Sequence, residues 1–207
     1  MRSDRKYSIR ERLILETALK VMLAGDFESA SIRQVSKQSM LSEELIISIF
    51  KTDDRLRMAA MEYAAIQWVR YVKKDIQYEI DRRCKLKKIV RHYFAGTESH
   101  PDSLSLYIDI WKRIRDSSKG NEDDLKEELG KIYDLYAEVF EELLLTEFPL
   151  RAELGSQRRQ LAWIMVVISD GLHIQSLIRP DSLDYDGIGE MINNMVEGLL
   201  KRNEELL

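Results

Sequence analysis

The fold of this chain is decided near its start, where residues 9–56 read IRERLILETALKVMLAGDFESASIRQVSKQSMLSEELIISIFKTDDRL. Apolar side chains recur there every three or four residues, which predicts three short helices with one buried face each. Gly25 is predicted to end the first helix. Ser31 and Ser42 precede the second and third apolar runs and are the expected N-caps. Residues 39–41 form a turn short enough for a helix-turn-helix.

The rest of the chain also predicts helices. Apolar spacing typical of helices continues to the C-terminus, proline and glycine are sparse, and no segment alternates in the manner of a strand. The predicted helices after the helix-turn-helix span about residues 53–79, 83–96, 100–117, 121–147, 156–178 and 185–206. These patterns predict an all-α protein of nine helices, with a three-helix domain over residues 1–52 and a larger helical domain over residues 53–207.

Residues 9–56 resemble the N-terminal domain of the TetR family of bacterial transcriptional regulators. The matching positions are Ile14-Leu15, Ala18-Leu19, Gly25, Phe27, Ser31, Val35-Ser36, Leu41-Ser42, Phe50 and Leu56. Further along, the SDGL stretch at residues 169–172 is similar to one large subgroup, the BetI-like C-terminal domains. The resemblance implies a homodimer that binds double-stranded operator DNA through its helix-turn-helix and a small-molecule effector through its C-terminal domain.

The helix-turn-helix departs from the family pattern on the surface expected to contact DNA. Met40 occupies a turn position where the family usually has glycine, so the turn is predicted to be strained or differently shaped, because a non-glycine residue at positive φ costs about 1 kcal/mol or more. Glu43 and Glu44 follow the cap, where two carboxylates repel a phosphate backbone. Leu45 and Ile47 flank the outward arc of this helix and donate no hydrogen bonds, although either could touch a thymine methyl group.

The residues predicted to contact DNA combine basic side chains with the outward arc of the third helix. They are Arg5, Lys6, Arg33, Lys37, Ser42, Glu44, Leu45, Ile47, Ser48 and Lys51. Residues 1–57 carry 11 basic and nine acidic side chains, and the remaining residues carry 21 and 27. The N-terminal end is therefore the more positive one, as expected for the end that meets DNA, although the excess is small.

An effector pocket is predicted in the C-terminal domain, where aromatic side chains accumulate. The predicted lining is Tyr93, Phe94, Tyr107, Trp111, Tyr136, Phe140, Trp163 and His173. The resemblance implies a pocket among helices five to eight, and such pockets are mostly apolar with a few placed polar groups. The alternative for each residue is an ordinary place in the core. The expected effector is a small apolar or amphipathic molecule.

The last two predicted helices carry apolar side chains on more than one face, which requires burial on two sides. Pairing both helices with their two-fold mates as a four-helix bundle would bury them. The residues predicted to mediate dimerisation are Leu161, Met165, Ile168, Leu172, Ile188, Met191, Ile192, Met195 and Leu199. The alternative is that both helices pack inside one monomer.

Several classes of protein are disfavoured by what the sequence lacks. No apolar run approaches the roughly 18–20 residues that span a membrane, and no apolar signal core is present, so a cytoplasmic protein is expected. Glycine-rich phosphate loops and the motifs of serine hydrolases and zinc proteases are absent, so no enzyme, cofactor or metal site is predicted. The single cysteine, Cys84, has basic neighbours that would lower its pKa, which leaves a redox sensor and a bystander thiol as alternatives.

Two functions are compatible with these patterns. The first is a dimeric, ligand-responsive transcription regulator that binds a palindromic operator, and the framework match favours it. The second is an adaptor with the same fold, whose third helix binds a protein because Leu45 and Ile47 lie beside two glutamates. Loss of salt-dependent DNA binding on Arg33→Ala or Lys51→Ala would indicate the first function, and loss of a protein partner on Leu45→Asp would indicate the second.

Overall fold

The computed structural model describes residues 7–94, 103–116, 122–147, 155–179 and 184–205. Within these ranges the chain forms nine α-helices and one short 3-10 helix, with no strand, so the all-α prediction is confirmed. The helices are α1 (Ile9–Ala24), the 3-10 helix (Phe27–Ser29), α2 (Ile32–Ser39), α3 (Glu43–Phe50), α4 (Asp53–Ile76), α5 (Arg82–Phe94), α6 (Ser103–Asp116), α7 (Glu122–Glu147), α8 (Gly155–Ile178) and α9 (Tyr185–Glu205). None of the helices in these ranges combines the length and the apolar character that crossing a bilayer requires.

The helix boundaries follow local hydrogen bonding. α1 begins after Ser8, whose hydroxyl accepts from the Glu11 backbone N–H at 3.1 Å while the Glu11 carboxylate accepts from the Ser8 N–H at 2.8 Å, a reciprocal capping box. Ser31 caps α2, as predicted, by accepting a backbone N–H of its first turn at 3.1 Å. α4 ends at Ile76, earlier than predicted, because the Ile76 carbonyl accepts a turn hydrogen bond from the Glu79 N–H at 3.1 Å.

The chain divides into two compact units. Unit 1 contains α1 to α3, α4 as far as Trp68, α6, and α7 as far as Leu135. Unit 2 contains the remainder of α4 and α7 together with α5, α8 and α9. Contacts therefore group α6 and the first part of α7 with the helix-turn-helix, which apolar periodicity does not reveal. The boundary between residues 52 and 53 remains a prediction about where a DNA-binding domain ends.

The core of unit 1 holds the three N-terminal helices together. Ile14 and Met22 of α1, Val35 of α2 and Ile46 of α3 are fully buried. All four were expected on the inward faces from their helical spacing. Because burying such a side chain stabilises the fold by about 1.5–3 kcal/mol, these residues fix how α2 and α3 lie on α1.

A charged network in unit 1 ties α6 to the beginning of α4. The Arg57 side chain, only 6% exposed, donates to the Ala30 carbonyl at 3.0 Å, to Asp54 at 2.9 Å and to Glu28 at 2.7 Å. Arg113 of α6 donates to the same two carboxylates, at 2.8 Å for Asp54. In the sequence Arg57 adds to the positive charge of the N-terminal end, but its burial and its partners remove it from any surface that could meet DNA.

Unit 2 is built on α5, which packs against both α8 and α9. Leu86 and Ile89 of α5, Met165 of α8 and Val196 of α9 are fully buried. One apolar stripe of α8 and one of α9 are therefore already covered within a single copy of unit 2.

Candidate nucleic-acid interface

The turn of the helix-turn-helix has the strained shape that its sequence predicts. Met40 ends α2 with φ 57° and ψ 27°, in the left-handed region that favours glycine. Its side chain is 92% exposed and gains no packing in return. The turn is held by the Ser36 hydroxyl, which donates to the Leu41 carbonyl at 2.6 Å.

α3 presents an acidic and apolar face. Ser42 caps it by accepting from the Leu45 N–H at 3.3 Å. Ile46 and Phe50 are buried against unit 1, and Ile49 is half-buried. The outward arc consists of exposed and half-buried side chains, namely Glu43, Glu44, Leu45, Ile47 and Ser48. Their placement agrees with the helical spacing on which the predicted DNA contacts depend, whereas the contacts themselves remain a prediction.

The polar groups of this arc are largely committed to α3 itself. The Ser48 hydroxyl donates to the Leu45 carbonyl at 2.7 Å. The Glu44 backbone N–H and the Ser42 hydroxyl lower the pKa of the Glu44 carboxyl, because both hydrogen bonds favour the charged form. Glu44 is therefore ionised at neutral pH and adds negative charge to the centre of the arc.

The residue that follows α3 is, after Met40, a second non-glycine residue with positive φ. Lys51 has φ 70° and ψ −47°, and the Thr52 N–H donates to the Phe50 carbonyl at 2.9 Å, which is a γ-turn. The chain re-enters a helix at Asp53, whose carboxylate accepts from the Ile32 N–H at 2.8 Å. Asp53 therefore satisfies the first turn of α2, which the sequence alone does not reveal because the two residues are 21 positions apart.

Basic side chains flank the acidic arc. Arg33 and Lys37 of α2 are exposed and line a polar cleft of about 490 Å³ between α2 and α3, which Glu43 also borders. Lys51 and Arg55 are exposed beyond the end of α3. Arg5 and Lys6, also predicted to contact DNA, lie outside the described residues. The described surface thus has cations on either side of α3 and carboxylates on its outward arc.

The residues predicted to line an effector pocket lie in different surroundings. Tyr107 and Trp111 are half-buried in unit 1, where the Tyr107 ring lies 6.2 Å from that of Tyr133. In unit 2, Phe140 is fully buried and Tyr136 is half-buried. The remaining pocket predictions fall on Trp163 and His173, discussed next, and on the side chains of Tyr93 and Phe94, which lie outside the described residues.

Trp163 and His173 belong to α8. The Arg159 guanidinium lies 5.9 Å from the centre of the Trp163 ring. Burial lowers the pKa of His173, whose Nδ1 lies 3.4 Å from the Ser169 hydroxyl. A cleft of about 220 Å³ in unit 2 lies elsewhere, bordered by Lys73, Glu142 and their neighbours. None of the predicted pocket residues whose side chains the structure describes lines it or the cleft between α2 and α3, so the effector pocket remains a prediction.

The residues predicted to mediate dimerisation differ in their exposure on α8 and α9. Leu161, Met165 and Ile192 are buried inside unit 2, at 8%, 0% and 6% exposure, so they belong to the core of a single copy. Ile168, Leu172 and Ile188 are half-buried, and the side chain of Leu199 lies outside the described residues. The predicted residues that are exposed are Met191 and Met195 of α9, and α8 carries the exposed apolar residues Ile164 and Val167. Both stripes are apolar, and the sequence alone does not say which one is covered within a single copy, so the dimerisation residues remain a prediction.

Cys84 does not have the lowered pKa that its basic neighbours suggest. Its thiol hydrogen bonds to the Asp81 carboxylate, which raises the thiol pKa because it favours the neutral form. The side chain is exposed. A raised pKa reduces the fraction of reactive thiolate at neutral pH, which favours the bystander thiol over the redox sensor.

These helices define an all-α protein with an N-terminal helix-turn-helix. No protein-family model matches the chain. The nicotine-responsive transcriptional repressor HdnoR of Paenarthrobacter nicotinovorans is 24% identical to it over 201 residues, which cover 93% of this chain and 95% of the repressor. The fatty acid degradation regulator FadR of Bacillus halodurans has a similar structure, with a TM-score of 0.66 at 13% identity, covering 92% of this chain and 96% of FadR.

A TetR transcription regulator of Haloarcula marismortui is also similar in structure, with a TM-score of 0.61 at 12% identity over 95% of this chain and 99% of that protein. The chain therefore has the fold of TetR-type transcription regulators, as the resemblance of residues 9–56 implies. All three similar proteins are regulators of transcription and not enzymes, in agreement with the absence of enzymatic motifs.

Proposed function

We propose that this protein is a dimeric transcription regulator that binds operator DNA through α2 and α3 and responds to a small apolar or amphipathic effector. The observation that carries the proposal is the intact helix-turn-helix, in which Ser42 caps α3 and the α3 arc lies between exposed cations. The similarity to a repressor over 93% of the chain supports the same function. Such a regulator acts in the cytoplasm, where bacterial operators are.

The cations have a definite role in this proposal. In a helix-turn-helix the second helix lies in the major groove and the first crosses the backbone. Arg33 and Lys37 on α2, with Lys51 and Arg55 beyond α3, then face phosphates on both sides of the groove. If each neutralises one phosphate, a dimer neutralises about eight, which corresponds to a salt slope of about −7 in a plot of log K against log salt concentration.

Dimerisation is proposed through the exposed apolar residues of α8 and α9. Ile164 and Val167 of α8 are 47% and 64% exposed, and Met191 and Met195 of α9 are 72% and 41% exposed. A two-fold partner would cover these side chains and complete a four-helix bundle. The BetI-like character of the C-terminal domain, based on residues 169–172, remains a prediction. A dimer of this kind would support it.

The effector is proposed to be apolar or amphipathic. The repressor that covers most of this chain is nicotine-responsive, and nicotine is a small amphipathic base. The aromatic residues and His173 in the predicted pocket are suited to such a molecule, since pockets of this kind are mostly apolar with few polar groups. A thermal-shift screen of small amphipathic compounds tests this part, and effectors should also change DNA affinity.

DNA-fragment selection with the full chain, followed by salt titration of the best fragment, tests the proposal. We expect an enriched palindrome and a salt slope near −7. Arg33→Ala should make the slope less steep, from about −7 to about −5 in a dimer. Lys20 is an exposed lysine on α1, and Lys20→Ala should leave the slope unchanged. A folded dimer that enriches no fragment at low salt would overturn the proposal.

A second candidate function is a protein-binding adaptor. It is favoured by the apolar exposure around the helix-turn-helix turn, where Met40 is 92% and Ile47 is 45% exposed beside Glu43 and Glu44. Apolar groups rimmed by charge are suited to a protein partner. An adaptor would ignore DNA and would lose its partner on Leu45→Asp, while Arg33→Ala would have no effect.

A further inference from the structure

The base-reading part of α3 contains no side-chain nitrogen. Residues 41–50 read LSEELIISIF, so Arg, Lys, His, Asn and Gln are all absent from the turn before α3 and from α3 itself. In helix-turn-helix proteins the N-terminal residues of the second helix contact base edges. Any side-chain hydrogen-bond donor that α3 offers to a base must therefore come from a hydroxyl group.

Both hydroxyl groups of this segment already donate within α3. The Ser48 hydroxyl donates to the Leu45 carbonyl at 2.7 Å. The Ser42 hydroxyl hydrogen bonds to the Glu44 carboxylate, and its oxygen accepts from the Leu45 N–H at 3.3 Å. The outward polar groups that remain are oxygen atoms that accept, and they lie beside the exposed Ile47 side chain.

The major groove presents a different pattern for each base. Guanine offers only the acceptors N7 and O6, so reading it requires a donor such as Arg or Lys. Cytosine N4 and adenine N6 are donors, and thymine presents a methyl group. An acceptor-only, apolar helix matches the last three groups and has nothing to offer guanine.

We infer that α3 reads thymine methyl groups through Ile47 and the amino groups of cytosine or adenine through Glu44 and Ser48, and that it makes no direct contact to guanine. This inference rests on the proposed DNA-binding function and names the bases that the site accepts. It also assigns a use to the acidic arc, because a carboxylate that weakens phosphate binding gains a partner in an amino group at the base edge.

The flanking cations do not supply the missing donors at the centre of the groove. Lys51 follows the last residue of α3, and its Nζ donates to the Ser48 carbonyl at 2.8 Å. Arg33 and Lys37 lie on α2, the helix that crosses the backbone in this motif. These side chains hold the protein on DNA, whereas α3 selects the bases.

Thymine-to-uracil substitution tests the methyl contact. With the best fragment from selection, each thymine is replaced singly by uracil, which removes only the methyl group. We expect at least one position per half-site at which affinity falls about fourfold, the value for one buried methyl group. In Ile47→Ala the loss at that position should vanish, whereas Leu23→Ala, an exposed leucine of α1, should keep it.

Selection with Glu44→Gln tests the amino-group contact. Glutamine offers both a donor and an acceptor and pairs with adenine N6 and N7. If Glu44 reads a cytosine, we expect that position of each half-site to shift towards adenine. If it reads an adenine, we expect the preference for adenine there to increase, because the glutamine amide also donates to N7. Helical content should be unchanged by circular dichroism.

The outcomes separate the inference from the function on which it rests. If the wild-type chain enriches no fragment, DNA binding itself is overturned, and the inference falls with it. If a palindrome is enriched but no thymine methyl matters, or if the methyl effect survives Ile47→Ala, DNA binding stands and the inference is overturned. Base preferences that are unchanged at every position with Glu44→Gln would likewise overturn the role given to Glu44.

Discussion

Replacing Met40 by glycine should stabilise this protein. Met40 has φ 57° and ψ 27°, a conformation that costs an L-residue about 1–2 kcal/mol and glycine almost nothing. The Met40 side chain is 92% exposed, so its removal forfeits almost no buried area. Glycine also makes the unfolded chain more flexible, which offsets up to about 1 kcal/mol of the gain. The expected net effect is a stabilisation of about 0.5–1 kcal/mol.

The assay is urea unfolding of the full chain, monitored both by circular dichroism and by tryptophan fluorescence. For a chain of this length, 1 kcal/mol corresponds to a rise of about 2–4 °C in Tm, so thermal unfolding provides a second measurement. Gln38→Gly is the matched control, because Gln38 is exposed within α2, where glycine destabilises by about 0.5–1 kcal/mol. The same substitution should therefore have opposite signs two residues apart.

A loss of stability in Met40→Gly comparable to that in Gln38→Gly would refute the reasoning. It would mean that the left-handed turn is not the conformation of Met40, or that its exposed side chain has packing that the structure does not show. Either result can be interpreted only if the slope of the free energy of unfolding against urea concentration is unchanged, since a changed slope indicates an altered unfolded state.

Three further predictions concern charged and titrating groups. Arg57→Met should destabilise the fold by about 1.5–2 kcal/mol in urea unfolding, because Glu28, Asp54 and the Ala30 carbonyl lose their hydrogen bonds to the buried guanidinium while Arg113 keeps its own. Arg115→Met, at an exposed ion pair, should have no measurable effect, and equal effects would argue against the network. Burial lowers the pKa of His173, so the unfolded chain binds more protons than the folded one, and stability should fall as pH drops below the ordinary histidine value of about 6.5. The variant His173→Gln should lose less stability than the wild type between pH 7 and 5. Identical pH profiles of stability would contradict this prediction. Alkylation of Cys84 should reach half its maximal rate at a higher pH than alkylation of free cysteine does. Asp81→Asn should lower that pH, because it removes the carboxylate that holds the thiol proton. If the pH of half-maximal alkylation is the same in Asp81→Asn, the carboxylate is not the cause.

Local sequence patterns were sufficient wherever the controlling interaction lies within one turn of helix. Ser31 and Ser42 cap α2 and α3 as predicted, because an N-cap acts on a backbone N–H three residues away. Met40 was expected to strain its turn for the same reason, since the turn is only three residues long. The outward arc of α3 follows from the 3.6-residue period.

Patterns of charge were less informative. Arg57 reads as one more cation near the DNA-binding end, but it is buried against Glu28, 29 residues away. In the sequence Cys84 stands among basic residues that would lower the thiol pKa, but a single hydrogen bond to Asp81 outweighs their effect and raises it. In both cases the nearest partner in space decides the outcome, because electrostatic interactions fall off with distance and not with sequence separation.

The sequence by itself determined the all-α class, the helix-turn-helix and the acceptor-only chemistry of α3, since these depend on residue type and on spacing within one helix. Only the tertiary structure decided that Arg113 ties α6 to Glu28 and Asp54, that Asp53 accepts from the first turn of α2, and that Leu161 and Met165 are buried while Ile164 and Val167 remain exposed. Each of these depends on which elements meet. An amphipathic pattern states that a face must be covered, but the identity of the covering element is set by packing between distant parts of the chain.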